Sequence, residues 1–397
     1  MSKRKLLLVV FLSMVLLLSG CWSRRELNEI ALVIGLGVDK IDNEYVISTQ
    51  IVDPSEIASK GGGGGRAPVV TYKTKSNTLM GAIRQLTAST PRKLYLAHLR
   101  MLVLGESIVR EGVAPALDVI SRDHELRSDF FIIMTKGNKA QDVLTMVTPL
   151  EKVPSAYMFN MLRHSEKYWA PFSTLKIDQL DNEISGDGKE PVITAVEIRG
   201  SLKEGEQKKN VENISIKNYL QYTSVGVLRQ DKLVGYLNET EASGYKYLIG
   251  KIKSTVIEMP CNKDHKDVTE LIHTNSIIKA NMRNHKPSID VQINSEANVA
   301  ELECQSNLLN LNVIHALEKK TEKEIKNQIT MVLQKTQKEY QSDIFGFGDQ
   351  IHQTYPKDWS KLKKNWNKTF STLSVKVNVK VKIRNFGKVN KSTPSMK

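Results

Sequence analysis

The stretch that most constrains the fold lies near the C-terminus, where Leu373, Val375, Val377, Val379, Val381 and Ile383 alternate with Lys376, Asn378, Lys380, Lys382 and Arg384. A period of two places the apolar side chains on one face and the basic and amide ones on the other, which is the signature of a half-buried β-strand. The basic face reads as a solvated sheet face. The segment Leu308–Tyr340 is the longest helical pattern, with Ile325, Ile329, Val332 and Leu333 on one stripe and Lys and Glu opposite, so its stripe reads as core.

Towards the N-terminus, Ile30–Val38 and Tyr45–Val52 are β-rich runs separated by a turn containing Asp42 and Asn43, and they read as a hairpin. A flexible excursion follows from Pro54 to Pro68 and includes five consecutive glycines, Gly61–Gly65. These are not a phosphate loop, because no Lys-Ser or Lys-Thr follows them directly and no helix start with apolar spacing comes next. After the strand Val69–Thr74 the pattern alternates: helix Thr78–Leu86, strand His98–Leu104, helix Ala114–Ile120, strand Phe130–Thr135 and helix Lys139–Met146. Helices Ser155–Glu166 and Thr174–Glu183 and a strand Pro191–Ile198 complete the half. Alternation of this kind implies strands packed on helices.

Composition shifts to Lys, Glu, Gly and Asn over Gly200–Asn213, which marks a linker at 201–213 between an N-terminal domain, 21–200, and the C-terminal half of the chain. Beyond it, a hairpin Tyr222–Leu237 turns at Gln230 and Asp231, a helix covers Thr240–Ile249, and long strands cover Lys253–Met259, Val268–Ala280 and Ser288–Leu302. The expected division is a β-rich middle domain, 214–304, and a helix-plus-strand domain, 305–390, with 214–390 able to act as one unit.

The chain opens on Lys3, Arg4 and Lys5, followed by an apolar run Leu6–Leu18 interrupted only by Ser13. As a helix this run rises roughly 20 Å, short of the roughly 30 Å hydrocarbon core, and it has the layout of a cleavable signal peptide, residues 1–20. Leu18-Ser19-Gly20-Cys21 is a lipobox: small residues enter a peptidase site, and Cys21 takes a diacylglycerol as a thioether before becoming the first mature residue. An N-acyl chain is a candidate addition. Two acyl chains anchor stably where one is marginal, so the mature chain is expected on the outer face of a membrane.

With 25% charged and 40% hydrophobic residues, the composition is that of an ordinary globular protein. The leader removes only three of the charges behind the formal +14, so the mature chain stays basic. The excess suits solubility and proximity to an anionic membrane; an exported, anchored chain does not meet nucleic acid, and no zinc-finger or aromatic RNA-binding pattern is present. Besides Cys21 there are Cys261 and Cys304, open between one disulfide and two free thiols.

The sequence carries no Gly-x-Ser-x-Gly elbow, no His-Glu-x-x-His, no Cys-x-x-Cys and no complete phosphate loop. Ser-x-x-Lys occurs at Ser173, Ser243, Ser276 and Ser360, without the companion motifs of penicillin-recognising enzymes. Eight scattered histidines lack metal-ligand spacing, and Asp123 and Glu125 have nothing to place them in a cleft. No catalytic, cofactor or metal site is expected, and a non-enzymatic protein is the reading.

The run Gly20-Cys21-Trp22-Ser23-Arg24-Arg25-Glu26-Leu27-Asn28-Glu29-Ile30-Ala31, with Gly35, Gly37, Asp39 and Lys40, resembles the start of the Ger(x)C family of spore germination lipoproteins. The likeness continues through Ala97-His98-Leu99-Arg100, Gly105-Glu106, Arg122–Arg127, Gly235-Tyr236-Leu237-Asn238-Glu239 and Gly244. It returns in Phe345-Gly346-Phe347-Gly348-Asp349, Tyr355-Pro356, Trp359, Trp366 and Phe370. Ser23 departs from it, the family usually having Asp there, and Gly61–Gly65 differ from its usual loop. The resemblance implies a multidomain α+β fold with mixed or antiparallel sheets flanked by helices. It also implies a non-enzymatic subunit of a nutrient germinant receptor, working with two integral-membrane subunits in the spore inner membrane. Arg24, Arg25 and Glu26, next to the anchor, are the candidate partner contacts. The alternative carried beside it is the solute-binding lipoprotein of a transporter.

Overall fold

The computed structural model describes residues 3–4, 28–58, 66–261, 264–304, 308 and 310–385. The expected leader cleavage site, Cys21, Arg24, Arg25, Glu26 and Gly61–Gly65 lie outside the described residues.

Strands β1 (Ile30–Ile41) and β2 (Glu44–Val52) form the expected hairpin, closed in register Ile41↔Glu44. Asp42 and Asn43 both take positive φ, 50° and 65°, as a two-residue turn matched to strand twist requires. Helix α1 (Pro54–Ala58) and strand β3 (Val69–Ser76) follow, then helix α2 (Leu79–Gln85), whose Thr78 cap accepts the Gly81 amide. Strand β4 (Lys93–Tyr95) leads through a 3-10 turn at Leu96–His98 into β5 (Met101–Leu104), so the strand read from His98 begins later.

Helices α3 (Glu106–Glu111) and α4 (Ala114–Arg122), strand β6 (Phe131–Thr135), helices α5 (Ala140–Thr145), α6 (Pro154–Tyr168) and α7 (Ile177–Ser185), and strand β7 (Val192–Arg199) complete a helix-covered centre. Strands β1, β5, β6 and β7 are parallel. Every residue of β5 and β6 is buried, because helices cover both faces. Leu102, Leu104, Ile132 and Met134 meet Ile108, Leu117, Ile120 and Leu180 on one side. Met101, Val103, Phe131 and Ile133 meet Val143, Leu144, Met158 and Leu162 on the other. Each such side chain contributes roughly 1.5–3 kcal/mol. Gly35 lets α6 close on β1, since a Cβ there would collide with the Ser155 side chain.

The sheet does not stop at the segment 201–213. That segment holds helix α8 (Leu202–Gly205) and a 3-10 turn, Lys208–Val211, and the strands on either side of it pair antiparallel. Asn218 pins it, accepting from Ser201 N–H at 2.7 Å and, through its carbonyl, from Asn210 Nδ2 at 2.8 Å. The hairpin of β8 (Tyr219–Arg229) and β9 (Lys232–Leu237), grouped by sequence with residues 214–304, therefore extends the first sheet. The strand order is β3-β2-β1-β5-β6-β7-β8-β9, with β4 on β1.

Helix α9 (Glu239–Leu248) then leads to a second sheet of four strands, β10 (Thr255–Pro260), β11 (Lys266–Arg283), β12 (Lys286–Leu302) and, at the far end of the chain, β13. Parallel pairing of β13 with β12 needs a long crossover. It is supplied by helix α10 (Leu311–Gln334), π-helical turns Lys335–Tyr340, and helices α11 (Phe347–Thr354), α12 (Pro356–Leu362) and α13 (Trp366–Phe370), before β13 (Ser374–Asn385). Ile325, Ile329, Val332 and Leu333 of α10 are buried, as are Val379 and Val381 of β13, while Lys376, Asn378, Lys380 and Lys382 are exposed. The fold is multidomain α+β, two mixed sheets flanked by helices. One apolar core is shared: Val103 and Val227 of the first sheet belong with Leu271, Ile293 and Val379 of the second, bridged by Tyr247 and Ile329.

Candidate functional site at the junction of the two sheets

Of the sequence-predicted site residues, Cys261 and Cys304 are within the described structure and are joined as a disulfide, with Cα atoms 6.3 Å apart. The bond ties the end of β10 to the end of β12. Cys261 N–H donates to the His265 carbonyl at 3.0 Å, and Cys304 N–H to Asp267 Oδ1 at 3.3 Å.

In the first sheet, α3 after β5 and α5 after β6 lie on opposite faces, so the carboxyl ends of these strands form the crevice where open α/β sheets hold ligands. Here a shallow cavity of about 320 Å³ is lined by Asp39, Lys40, Glu106 and Asp142. Its donors are already used: the Asp39 carboxylate accepts from Ala140 and Gln141 N–H at 2.9 and 3.3 Å, and Glu106 Oε2 accepts from Gly137 N–H at 2.8 Å. Burial pushes the Asp39 carboxyl up from its ordinary value, against those two hydrogen bonds. The chain's own carboxylate thus occupies the place an anionic ligand would take, and latches β1 to α5.

A further group of buried polar side chains, Glu241, Lys246, Ser342 and Asp343 among them, lies where the two sheets meet. Helix α9 starts with a capping box, Asn238 accepting from Glu241 N–H and Glu241 accepting from Asn238 N–H. Gly244 lets α9 cross α10 backbone to backbone, since a Cβ there would collide with the Gln328 carbonyl. Lys246 projects from α9 back to the first domain and is 1% exposed. Its Nζ donates to Ser173 Oγ at 2.8 Å and lies 3.8 Å from Glu166 Oε1. Burial lowers the ammonium pKa to about 8, and Glu166 only partly opposes this.

Ser173 is in turn clasped to Thr194, through Ser173 N–H to Thr194 Oγ1 at 3.1 Å and Thr194 Oγ1 to the Ser173 carbonyl at 2.9 Å. The helix read from Thr174 begins only at Ile177, because Thr174 N–H and Oγ1 bond Glu166 and the Leu175 carbonyl accepts from Ile132. The lysine that meets Ser173 is therefore Lys246, not its Ser-x-x-Lys neighbour Lys176.

Two motifs noted in the sequence form the rest of the junction. Tyr340 Oη accepts from Tyr236 N–H at 3.1 Å and donates to the Tyr236 carbonyl at 2.9 Å, completing the edge of β9 with a side chain. Gly235 leaves room for it, as a Cβ would stand 2.5 Å from the Tyr340 ring. Around Phe345–Gly348 the buried Asp343 collects five donors. Oδ1 accepts from Phe345, Gly346 and Phe347 N–H at 3.1, 3.1 and 3.3 Å, and Oδ2 from Gly348 N–H at 2.8 Å and Trp366 Nε1 at 3.0 Å. Burial pushes this carboxyl up to about 7, and the hydrogen bonds pull it back only in part. Gly346 takes φ 78°, which a side chain rarely adopts. Asp349 N–H reaches the Gly188 carbonyl, Glu190 N–H the Asp343 carbonyl, and Ser342 Oγ the Leu228 carbonyl, so this loop is tied to the first domain throughout.

Glu166 and Asp343 carried no motif, and Lys246 appeared only as the lysine of the Ser-x-x-Lys copy at Ser243, whose serine it does not meet here. The available signal for Asp343 was its position just before a Phe-Gly-Phe-Gly run. Chemically the junction is a coupling: Lys246 and Tyr340 bond across to the first domain, and the Asp343 carboxylate shapes the loop whose backbone and Ser342 do the same. Among the described residues no helix is long and apolar enough to cross a membrane.

Residues 223–387 match the family model described as spore germination B3/GerAC like, C-terminal, and residues 23–198 match that of the spore germination protein N-terminal domain. The chain is similar to spore germination protein KC of Bacillus subtilis (strain 168), at 29% identity over 395 residues, covering 98% of this chain and 97% of that protein. It is similar to spore germination protein B3 of the same organism at 26% identity, covering 96% of this chain and 98% of that one. In fold it is similar to the crystal structure of the GerBC protein, with a TM-score of 0.57 at 23% identity over 88% of this chain and 97% of that one.

Proposed function

Because this chain belongs to the Ger(x)C family of spore germination proteins, we propose that it is the lipid-anchored, non-enzymatic subunit of a nutrient germinant receptor. Its diacylglyceryl Cys21 holds it on the outer face of the spore inner membrane, and it assembles there with two integral-membrane subunits, contacted in part through Arg24, Arg25 and Glu26. The observation that carries this reading is that the two family models cover both halves of the chain in order. The lipobox at Leu18–Cys21 supports the anchor. Tethering raises the effective concentration of the chain beside its partners and reduces assembly to a nearly two-dimensional search.

The shared core and the hydrogen-bonded junction support a scaffold that carries a displacement at one sheet to the other. They disfavour the transporter alternative, which needs two lobes able to close about a hinge.

Deletion of the gene tests the reading in whole spores. Germination to particular nutrients is expected to be lost, with solute uptake and wall hydrolysis in growing cells unchanged; loss of uptake instead would refute it. Cys21→Ala is expected to abolish acyl labelling and weaken membrane retention, and unchanged labelling of that variant would sink the anchor.

A further inference from the structure

The second sheet ends in a cluster of cations without acidic partners. The β11–β12 turn, with Asn284 and His285 at positive φ of 50° and 60°, stands beside α12 and α13. Between them runs an open groove of about 950 Å³, lined by Arg283, Lys286 and Lys368 over an apolar floor that includes Pro287, Leu362 and Leu373. Lys361 and Lys364 are exposed on the same helical stretch. Among the described residues none of these five cations has a carboxylate within 4.0 Å, whereas Lys75, Lys136 and Lys266 elsewhere are each paired with a glutamate. From Pro356 to Ser374 the one acid is Asp358, and its Oδ1 faces His285 Nδ1 at 2.8 Å.

We propose that this groove and its lysine rim are a docking surface for the phosphate headgroups of an anionic phospholipid membrane. Charge complementarity carries the assignment. Arg283, Lys286 and Lys368 line the groove with Asp358 at its edge turned to His285, and the exposed Lys361 and Lys364 add to the excess, so the net field is positive and a negatively charged bilayer surface supplies the missing charge over an area a single small ion cannot. The groove is open and shallow-floored, so headgroups enter it from the surface without a cavity having to close. The basic groups sit on a hairpin turn and short helices braced by buried Trp359 and Trp366, which fixes them as one rigid patch. Bound this way, the second sheet stands with the β11–β12 turn toward the bilayer. The surface does not depend on the Cys21 anchor.

The test uses the mature-length chain carrying Cys21→Ser, so that no acyl chain contributes, and co-sedimentation with vesicles of phosphatidylcholine alone or with 30 mol% phosphatidylglycerol. Binding is expected only to the anionic vesicles and is expected to weaken with salt. At roughly fivefold per basic residue near the surface, the triple variant Arg283→Gln, Lys286→Gln, Lys368→Gln binds about 100-fold more weakly. The charge-matched control Lys323→Gln, Lys326→Gln, Lys380→Gln, exposed positions that do not line the groove, is expected to bind as the parent does. All six positions are exposed, and a far-UV spectrum confirms folding. Equal loss in both triple variants would mean net charge alone and overturns the proposal. So does binding to neutral vesicles, no binding by the parent, or release from anionic vesicles by an acidic peptide at concentrations where inorganic phosphate has no effect.

Discussion

Replacing Lys246 by methionine tests the junction directly, because the ammonium is 1% exposed and its partners among the described residues are Ser173 Oγ at 2.8 Å and Glu166 at 3.8 Å. In the folded chain burial lowers its pKa to about 8, while an unfolded chain holds the same proton to about 10.4. At about 1.4 kcal/mol per pKa unit, the fold disfavours the charged form by roughly 3 kcal/mol. Between the two values the unfolded state binds more protons, so this group makes stability rise with pH, and below about 8 the whole penalty applies. Methionine keeps the volume and removes the charge, at the loss of a hydrogen bond worth about 1–2 kcal/mol. The net expectation at pH 7 is a gain of about 1–2 kcal/mol, because the Glu166 carboxylate left behind is partly exposed and keeps its hydrogen bonds from Thr174 N–H and Oγ1, so that no uncompensated buried charge remains. That gain shrinks and turns into a small loss by about pH 10.5. Urea unfolding of both chains, expressed without residues 1–27, at pH 7 and pH 10 reads the difference. An effect of the same size and sign at both pH values would show that Lys246 does not carry a desolvated charge, and the account of the junction would fail.

Tyr340→Phe removes the hydroxyl that completes the β9 edge; a fall of about 1–3 kcal/mol in unfolding free energy is expected, with faster amide exchange at Tyr236 as the local readout. Asp343→Asn leaves one acceptor oxygen and turns an NH₂ group on either Gly348 N–H and Trp366 Nε1 or the three opposing amides. A loss of about 2–5 kcal/mol is expected, and a variant as stable as the parent would contradict the five-donor geometry. The double variant Cys261→Ser, Cys304→Ser opens a link of sequence separation 43 and is expected to lower stability by about 4 kcal/mol. Thiol alkylation of the unreduced parent, followed by mass measurement, should find neither cysteine labelled.

What the sequence determined by itself was whatever repeats over a few residues. The Asp42-Asn43 turn, the α10 stripe at Ile325, Ile329 and Val332, and the alternation of β13 are local patterns, since backbone sterics and a period of 2 or 3.6 suffice to write them. Their succession implied strands packed on helices, and the family resemblance supplied the α+β class. Which strands became neighbours did not. The hairpin Tyr219–Leu237 reads the same whether it opens a second domain or closes the first sheet, and only its hydrogen bonding to Val192–Arg199 across the 201–213 segment decided the matter. The junction was hidden for the same reason. Lys246 sits in a stretch with no unusual composition, and its burial is created by Ser173 and Glu166, far away in the chain. Asp343 gathers the Trp366 indole together with four amides of its own loop. Periodicity is a property of neighbouring residues, whereas desolvation and charge pairing belong to groups brought together only when the chain has folded, so the tertiary structure alone could decide where the two halves grip each other.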